Sequence, residues 1–354
     1  MLRTKNIYEQ LETCTDDEIR LGLLFDLTVA FLNFDEKRSF EVADEIWALA
    51  EKMDCNKGRS YYHSARARVF YKKSKFAEAT LEFNKALDKA LLTSDLTLQA
   101  ICLDSLGVVY NQANEYDKAI DASTKALETF KQIPNTVNYQ IVCYNNIGNV
   151  HKRTCNYADA ELVYLDALNL AIETNDTRLC ANVRNNLAAI NIEQHQYKNA
   201  LQYTLTALQA FKEINHKHGE AHATVFIGLC YSGLGEYAKA LEQFLLAIKL
   251  LKQTDHKPIE AYAYKGLGDV YIKLEAYNEA LKHFKKALLI SEEIEDYLEM
   301  CDMHAEISKI YHRMGKPHEA LERIKTGKSL AEKHNLPLKL QALQALEQQL
   351  LDTL

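Results

Sequence analysis

A chain of 354 residues that is 47% apolar and 26% charged is long enough for several domains and too apolar to be disordered. Its formal net charge of −7 excludes a broad nucleic-acid surface, which needs clustered Lys and Arg to displace counterions from phosphates. With only 4 prolines and 12 glycines, long flexible linkers and a β-rich fold with many tight turns are excluded as well. No apolar run reaches membrane-spanning length, and the opening MLRTKNIYEQLETC lacks the apolar core of a signal peptide, so the expectation is a cytoplasmic protein with no membrane partner.

In chain order, Asp16–Asn33 predicts an amphipathic helix opened by Thr15 or Asp16, with Ile19, Leu23, Leu24, Leu27 and Phe31 on one side. Phe40–Met53 predicts a second helix carrying Ala43, Trp47 and Ala50. Residues 1–58 therefore read as a diverged helical pair capping whatever follows. A DNA-reading helix-turn-helix is the alternative, and the segment is not basic enough to favour it.

From residue 59 the chain becomes periodic. An alanine recurs at Ala79, Ala119, Ala160, Ala200, Ala240, Ala280 and Ala320, at intervals of 40, 41, 40, 40, 40 and 40. Twelve residues before each stands a small residue (Ala67, Gly107, Gly148, Ala188, Gly228, Gly268, Ser308), and seven after stands another (Ala86, Ala126, Ala167, Ala207, Ala247, Ala287, Gly327). Small side chains at helical spacing let helix backbones approach closely. Three residues before each alanine comes an aromatic, from Phe76 to Tyr277, replaced in the last copy by Pro317, which suits a first helical turn. The cleanest copy, Ala261–Asp296, breaks at Glu275–Ala276 and reads as helix, turn, helix. The extra residue of the 41-residue interval falls in the connection around Ile133–Asn138.

This pattern resembles the tetratricopeptide repeat over residues 59–335, in the long variety of about 40 residues found in Pins-type adaptors, kinesin light chains and the sensory regions of bacterial signalling proteins. The resemblance implies an all-α, right-handed superhelical solenoid of seven helix-turn-helix repeats, the first helix of each pair lining a concave face. Residues 336–354 predict one more helix, with Pro337 in its first turn, as the C-terminal cap. Leu336, Leu343 and Leu350 stand seven apart, with Leu340 and Leu354 on the complementary seam, so a homodimer through this helix is its second reading.

No catalytic set, cofactor motif or metal site is expected. The glycines of Gly228-x4-Gly233-x-Gly235 and Gly266-x-Gly268 lie in or at the ends of repeat helices, as packing and turn glycines, with no preceding strand and no Lys-Ser/Thr of a phosphate loop. His216, His218 and His222 have no carboxylate or cysteine at ligand spacing. Of the 8 cysteines none forms a C-x-x-C pair, and Cys102 and Cys143 share one repeat position, as small buried thiols do.

What remains is the groove, with a protein or peptide as the partner. The family pattern turns positions two, five, six, nine, twelve and thirteen of each first helix toward it. In the third and fourth repeats these include Asn145, Asn149, Lys152 and Arg153, then Asn182, Asn185 and Asn186. Amides both donate and accept, which suits an extended peptide backbone, and a cation meets a carboxylate. The family consensus itself favours Asn at positions six and nine, which accounts for Asn146, Asn149 and Asn186 without a ligand. The fifth repeat places Val225, Phe226 and Leu229 at groove positions, with Ile272 and Tyr262 following in the sixth beside Lys265 and Asp269, an apolar strip next to the amide-rich one. The carboxylate clamp of chaperone-binding co-chaperones is not reproduced: Asn149 and Asn186 match it, but Asn145, His222 and Phe226 stand where its cations belong. The resulting expectation is a non-enzymatic interaction module in cytoplasmic signalling or regulation. The alternatives are the sensory region of a larger kinase or cyclase, or a self-associating scaffold.

Overall fold

The computed structural model describes residues 2–32, 34–252 and 256–352; the expected helix end at Asn33 and the seam residue Leu354 lie outside the described residues. Among them are eighteen α-helices and no strand. The chain divides into two compact units, Met1–Asn175 and Asp176–Leu354. The first holds α1 (Leu2–Thr13), α2 (Asp17–Phe31), α3 (Glu36–Lys52), α4 (Asn56–Lys72), α5 (Phe76–Leu91), α6 (Leu96–Gln112), α7 (Tyr116–Lys131), α8 (Val137–Arg153) and α9 (Tyr157–Glu173). The second holds α10 (Thr177–Glu193), α11 (Tyr197–Glu213), α12 (Lys217–Gly233), α13 (Tyr237–Leu251), α14 (Lys257–Lys273), α15 (Tyr277–Glu293), α16 (Tyr297–Arg313), α17 (Pro317–Lys333) and α18 (Pro337–Leu351). Each unit is a solenoid of stacked helix pairs, the even-numbered helix opening each pair.

The turns set the beat. Within most pairs a left-handed residue follows the first helix, as at Ser74, Asn114, Cys155, His195, Gly235, Glu275 and Gly315, and the next amide reaches back five residues, for example from Asn156 N to His151 O at 2.8 Å. This closes the orphan carbonyls of the last helical turn and lets the second helix start at once. Between pairs a side chain usually caps the next helix: Asp95, Asp176 and Asp296 accept from Leu98 N, Leu179 N and Glu299 N at 3.0, 2.9 and 3.1 Å. The extra residue lies between Gln132 and Thr136, where Thr136 Oγ1 donates to the carbonyls of Phe130 and Ile133 at 2.5 and 2.7 Å.

Close approach explains the small residues. A Cβ on Gly148 would sit 2.5 Å from the Tyr164 ring, and Cβ atoms on Gly228 and Gly268 would sit 2.9 and 2.5 Å from the rings of Phe244 and Phe284. Each ring stands four residues after the recurring alanine and lies on the small residue of the partner helix. In the second repeat Ser123 replaces the ring, and a Cβ on Gly107 would meet the Ala119 carbonyl at 3.1 Å.

At the N-terminus Asp16, not Thr15, opens α2, accepting from Glu18 N and Ile19 N. The expected apolar face is corrected there: Ile19 is 60% exposed, while Leu21, Leu24, Leu27 and Phe31 form the buried stripe. The difference is α1, unforeseen in the sequence, whose Ile7 and Leu11 join that stripe and rotate the contact surface toward Leu21. At the other end Leu343 and Leu350 are buried, Leu343 with Cys301 and Ala331 and Leu350 with Ala320 and Ile324. Lys339 of α18 pairs with Asp302 of α16 at 2.6 Å and Glu347 of α18 with Lys328 of α17 at 2.7 Å, and both ties hold the helix down. A dimer through Leu343 and Leu350 would have to uncover the sides of α16 and α17 that they now fill.

Two substitutions separate turn from packing. Glu275→Gly relieves a left-handed residue with φ 58° and is expected to stabilise the chain by about 1 kcal/mol. Gly148→Val overpacks the Tyr164 contact and is expected to cost about 1–3 kcal/mol. Urea unfolding followed by circular dichroism measures both.

Candidate functional site

Within the first unit α2 touches α4, α4 touches α6 and α6 touches α8; no comparable contact joins α3, α5, α7 and α9 among the described residues. In the second unit the same closeness joins α10 to α12, α12 to α14 and α16 to α18. Helices drawn together lie on the inside of a curve, so in each unit the even-numbered helices line the concave side.

On the inner side of the first unit α8 presents the expected amides, but the scaffold uses several of them. Tyr164, itself fully buried, donates its hydroxyl to Asn149 Oδ1 at 2.7 Å. Asn146 Nδ2 donates to Asp104 Oδ1 on α6 at 2.9 Å. Arg153 donates to Gln112 Oε1 and Asn114 Oδ1 at 3.0 and 2.8 Å and lies over the Tyr116 ring, bracketing the turn after α6. Asn149 and Arg153 thus serve the scaffold. Val142 is exposed, and Asn145 and Lys152 are half-buried on the same face.

On the inner side of the second unit Asn182 is exposed and Asn186 half-buried, whereas Asn185 is only 3% exposed and its Oδ1 meets no hydrogen-bond partner. The apolar strip expected from the fifth repeat is corrected. Val225 is fully buried in the core with Phe244 and Leu267, and Phe226 is 8% exposed, packed with Ala188, Cys230 and the His222 ring. The cause is the approach of α12 to its neighbours: the Phe244 ring lies against both Gly228 and Gly266, which removes the space that would have left Val225 open. Leu229 remains half-buried against Ile192 and Tyr262.

Lys265 and Asp269 belong to a charged stretch that the sequence did not delimit. Lys265, Asp302, Glu306, Lys309 and Lys339, over a floor that includes Leu343 and Leu346, line a pocket of about 450 Å³. Three ion pairs organise it, Lys265–Glu299 at 3.4 Å, Lys309–Glu306 at 2.7 Å and Lys339–Asp302 at 2.6 Å. Burial, and then the charge of Glu306, push the Asp269 carboxyl up to about 6 despite Lys265, Lys273 and Lys309. Among the described residues no three His, Cys, Asp or Glu side chains converge as a metal site would require. No helix is long and apolar enough to cross a membrane among those residues.

A sequence model of the tetratricopeptide repeat matches residues 106–173, 179–253 and 259–333. The chain belongs to the tetratricopeptide repeat family. A comparison with curated proteins found no match. Among solved structures the repeats are similar to aspartyl phosphate phosphatase F from Bacillus subtilis, with 16% identity, TM-score 0.67, and coverage of 92% of this chain and 87% of that one. They are also similar to the apo form of the quorum sensor NprR from B. thuringiensis, with 16% identity, TM-score 0.67 and coverage of 92% and 91%. A third is the Rap conjugation gene regulator of the plasmid pLS20 in complex with the Phr* peptide, with 18% identity, TM-score 0.61 and coverage of 77% and 74%. At such identities the likeness is one of fold.

Two of the groove residues can be tested in the tetratricopeptide repeats directly. Asn149→Ala leaves the buried Tyr164 hydroxyl without its acceptor and is expected to cost about 1–3 kcal/mol in urea unfolding. Asp269 binds its proton near pH 6 in the folded chain but near 3.9 when unfolded. Its ionisation therefore opposes folding at neutral pH, an opposition relieved as pH falls through 6 toward 4. Asp269→Asn should melt higher than wild type at pH 7.5, and the gap should narrow across that window.

Proposed function

We propose that the chain is a non-enzymatic, cytoplasmic interaction module that holds an extended peptide segment, free or part of a protein, against the inner faces of its even-numbered helices, in signalling or regulation. The observation that carries this reading is Asn185, a buried amide whose oxygen has no donor, beside Asn182 and Asn186 on the groove side of α10. A buried unpaired carbonyl costs about 1–3 kcal/mol, and an incoming backbone N–H removes that cost. The likeness in fold to a regulator solved with a bound peptide supports the same reading. Amides grip backbone without reading sequence, so specificity falls to the half-buried Leu229 and Tyr262 and to the charged stretch around Lys265 and Asp269.

The test is affinity selection of a synthetic hexapeptide library by the full chain, followed by calorimetry on the retained members. Asn182→Ala/Asn185→Ala, which spares Asn145 and the structural Asn149, should keep a cooperative melt and bind those peptides at least about tenfold more weakly, the loss of one or two hydrogen bonds. Unchanged affinity in a variant that melts normally would remove the amides from the binding site.

A further inference from the structure

In the first unit the arginines near α4 have evident partners, with one exception. Arg38 meets Glu41 at 2.7 Å, Arg59 meets Glu51 at 2.6 Å, and Arg66 meets Glu82 at 3.5 Å. Arg68, two residues further along α4, is different: its Nε is buried and has no hydrogen-bond partner. Its guanidinium lies over the Phe25 ring at 5.9 Å, and no carboxylate closes an ion pair with it among the described residues. Asp104 on α6 is near enough for its charge to be felt, yet its carboxylate is held by Asn146 and the Cys143 thiol instead. Burial lowers the affinity of Arg68 for its proton and raises that of Asp104 for its own.

Arg68 takes position nine of its helix, on the groove side that α4 shares with α6. Asn111, also on the groove side of α6, is buried with its Oδ1 unpartnered. The inner face of α4 and α6 therefore carries a buried guanidinium Nε–H and a buried amide oxygen that meet no hydrogen-bond partner. Asp104 and Asn111 stand two turns apart, about 10 Å along the helix axis, the length of about three extended peptide residues. A guanidinium fork is matched in geometry and charge by a carboxylate, and a lone amide oxygen by a backbone N–H.

We propose that the groove face of α4 and α6 is a carboxylate-anchoring subsite, in which Arg68 takes a carboxylate of an extended peptide and Asn111 accepts one of its backbone N–H groups. This rests on the peptide-groove reading and names the chemistry of one end of the ligand. The carboxylate comes either from the peptide's C-terminus or from an Asp or Glu side chain, and Asp104 disfavours a peptide that brings several negative charges.

Three synthetic hexapeptide libraries decide it: free-acid C-termini without Asp or Glu, amidated C-termini with one Asp or Glu, and amidated C-termini with neither. Each is offered to the full wild-type chain, Arg68→Lys and Arg68→Gln, with Arg68→Met as the neutral variant if the Gln form does not melt like wild type. The expected result is that one carboxylate-bearing library is retained by wild type about tenfold or more above the neutral library. Arg68→Gln should lose that preference and Arg68→Lys keep part of it, as removal of one charge-assisted fork predicts. The library retained identifies the carboxylate's source. Equal retention of all three libraries by wild type, or an unchanged carboxylate preference in the neutral variant, overturns the proposal. If Arg68→Gln binds normally while Asn182→Ala/Asn185→Ala does not, the groove reading stands and the Arg68 anchor alone falls.

Discussion

The contact on which each unit depends is an aromatic ring lying flat on a glycine or alanine of the partner helix. Tyr164 on Gly148, Phe244 on Gly228 and Phe284 on Gly268 are the same contact in the third, fifth and sixth repeats, with both partners fully or nearly fully buried. The large face removes much apolar surface from water, and the missing side chain opposite lets two backbones come close enough for the ring to touch both. Close approach within pairs in turn decides how much of each first helix can face outward into the groove. The even-numbered helices are crowded as a consequence, which is why Val225 belongs to the core and not to the ligand surface.

The same crowding sorts the polar groups of the inner faces into two kinds. Some amides and cations hold the scaffold: Asn149 receives the Tyr164 hydroxyl, Asn146 holds Asp104, and Arg153 clamps the turn that follows α6. Others are buried without a use inside the chain, namely Arg68 Nε and Asn111 Oδ1 in the first unit and Asn185 Oδ1 in the second. Scaffold groups gain stability from hydrogen bonds already made, whereas the unused ones are a standing cost to the folded chain. Groups that a fold leaves desolvated and unpaired are the ones a ligand gains most by meeting.

Charge is distributed with similar economy. The pocket beside α14, α16 and α18 holds its lysines in pairs with carboxylates, so its field is local and alternating, and α18 is fastened by Lys339 and Lys328 as well as by its leucines. Asp269, on α14, owes its raised proton affinity to burial and then to the charge of Glu306. Such a surface discriminates by the placement of single charges more than by overall attraction, in keeping with the modest net charge of the chain.

Most of the fold was legible because helical periodicity and helix ends are local properties. The recurring alanines, the small residue twelve positions before each and the aromatic three positions before it located the helix pairs of residues 59–335, and Asp16 and Pro337 marked helix starts. The first helix escaped notice because Ile7 and Leu11 are too few to show a period, and without it the buried face of α2 was placed around Ile19 and not Leu21. The candidate site was legible only as a set of positions. Sequence spacing names the residues that point toward a groove, but not which of them the neighbouring helix consumes, since that depends on distances between side chains forty residues apart. It was the packing that withdrew Val225 and Phe226 into the core, gave Asn149 to Tyr164, and left Arg68 Nε and Asn185 Oδ1 without a hydrogen-bond partner.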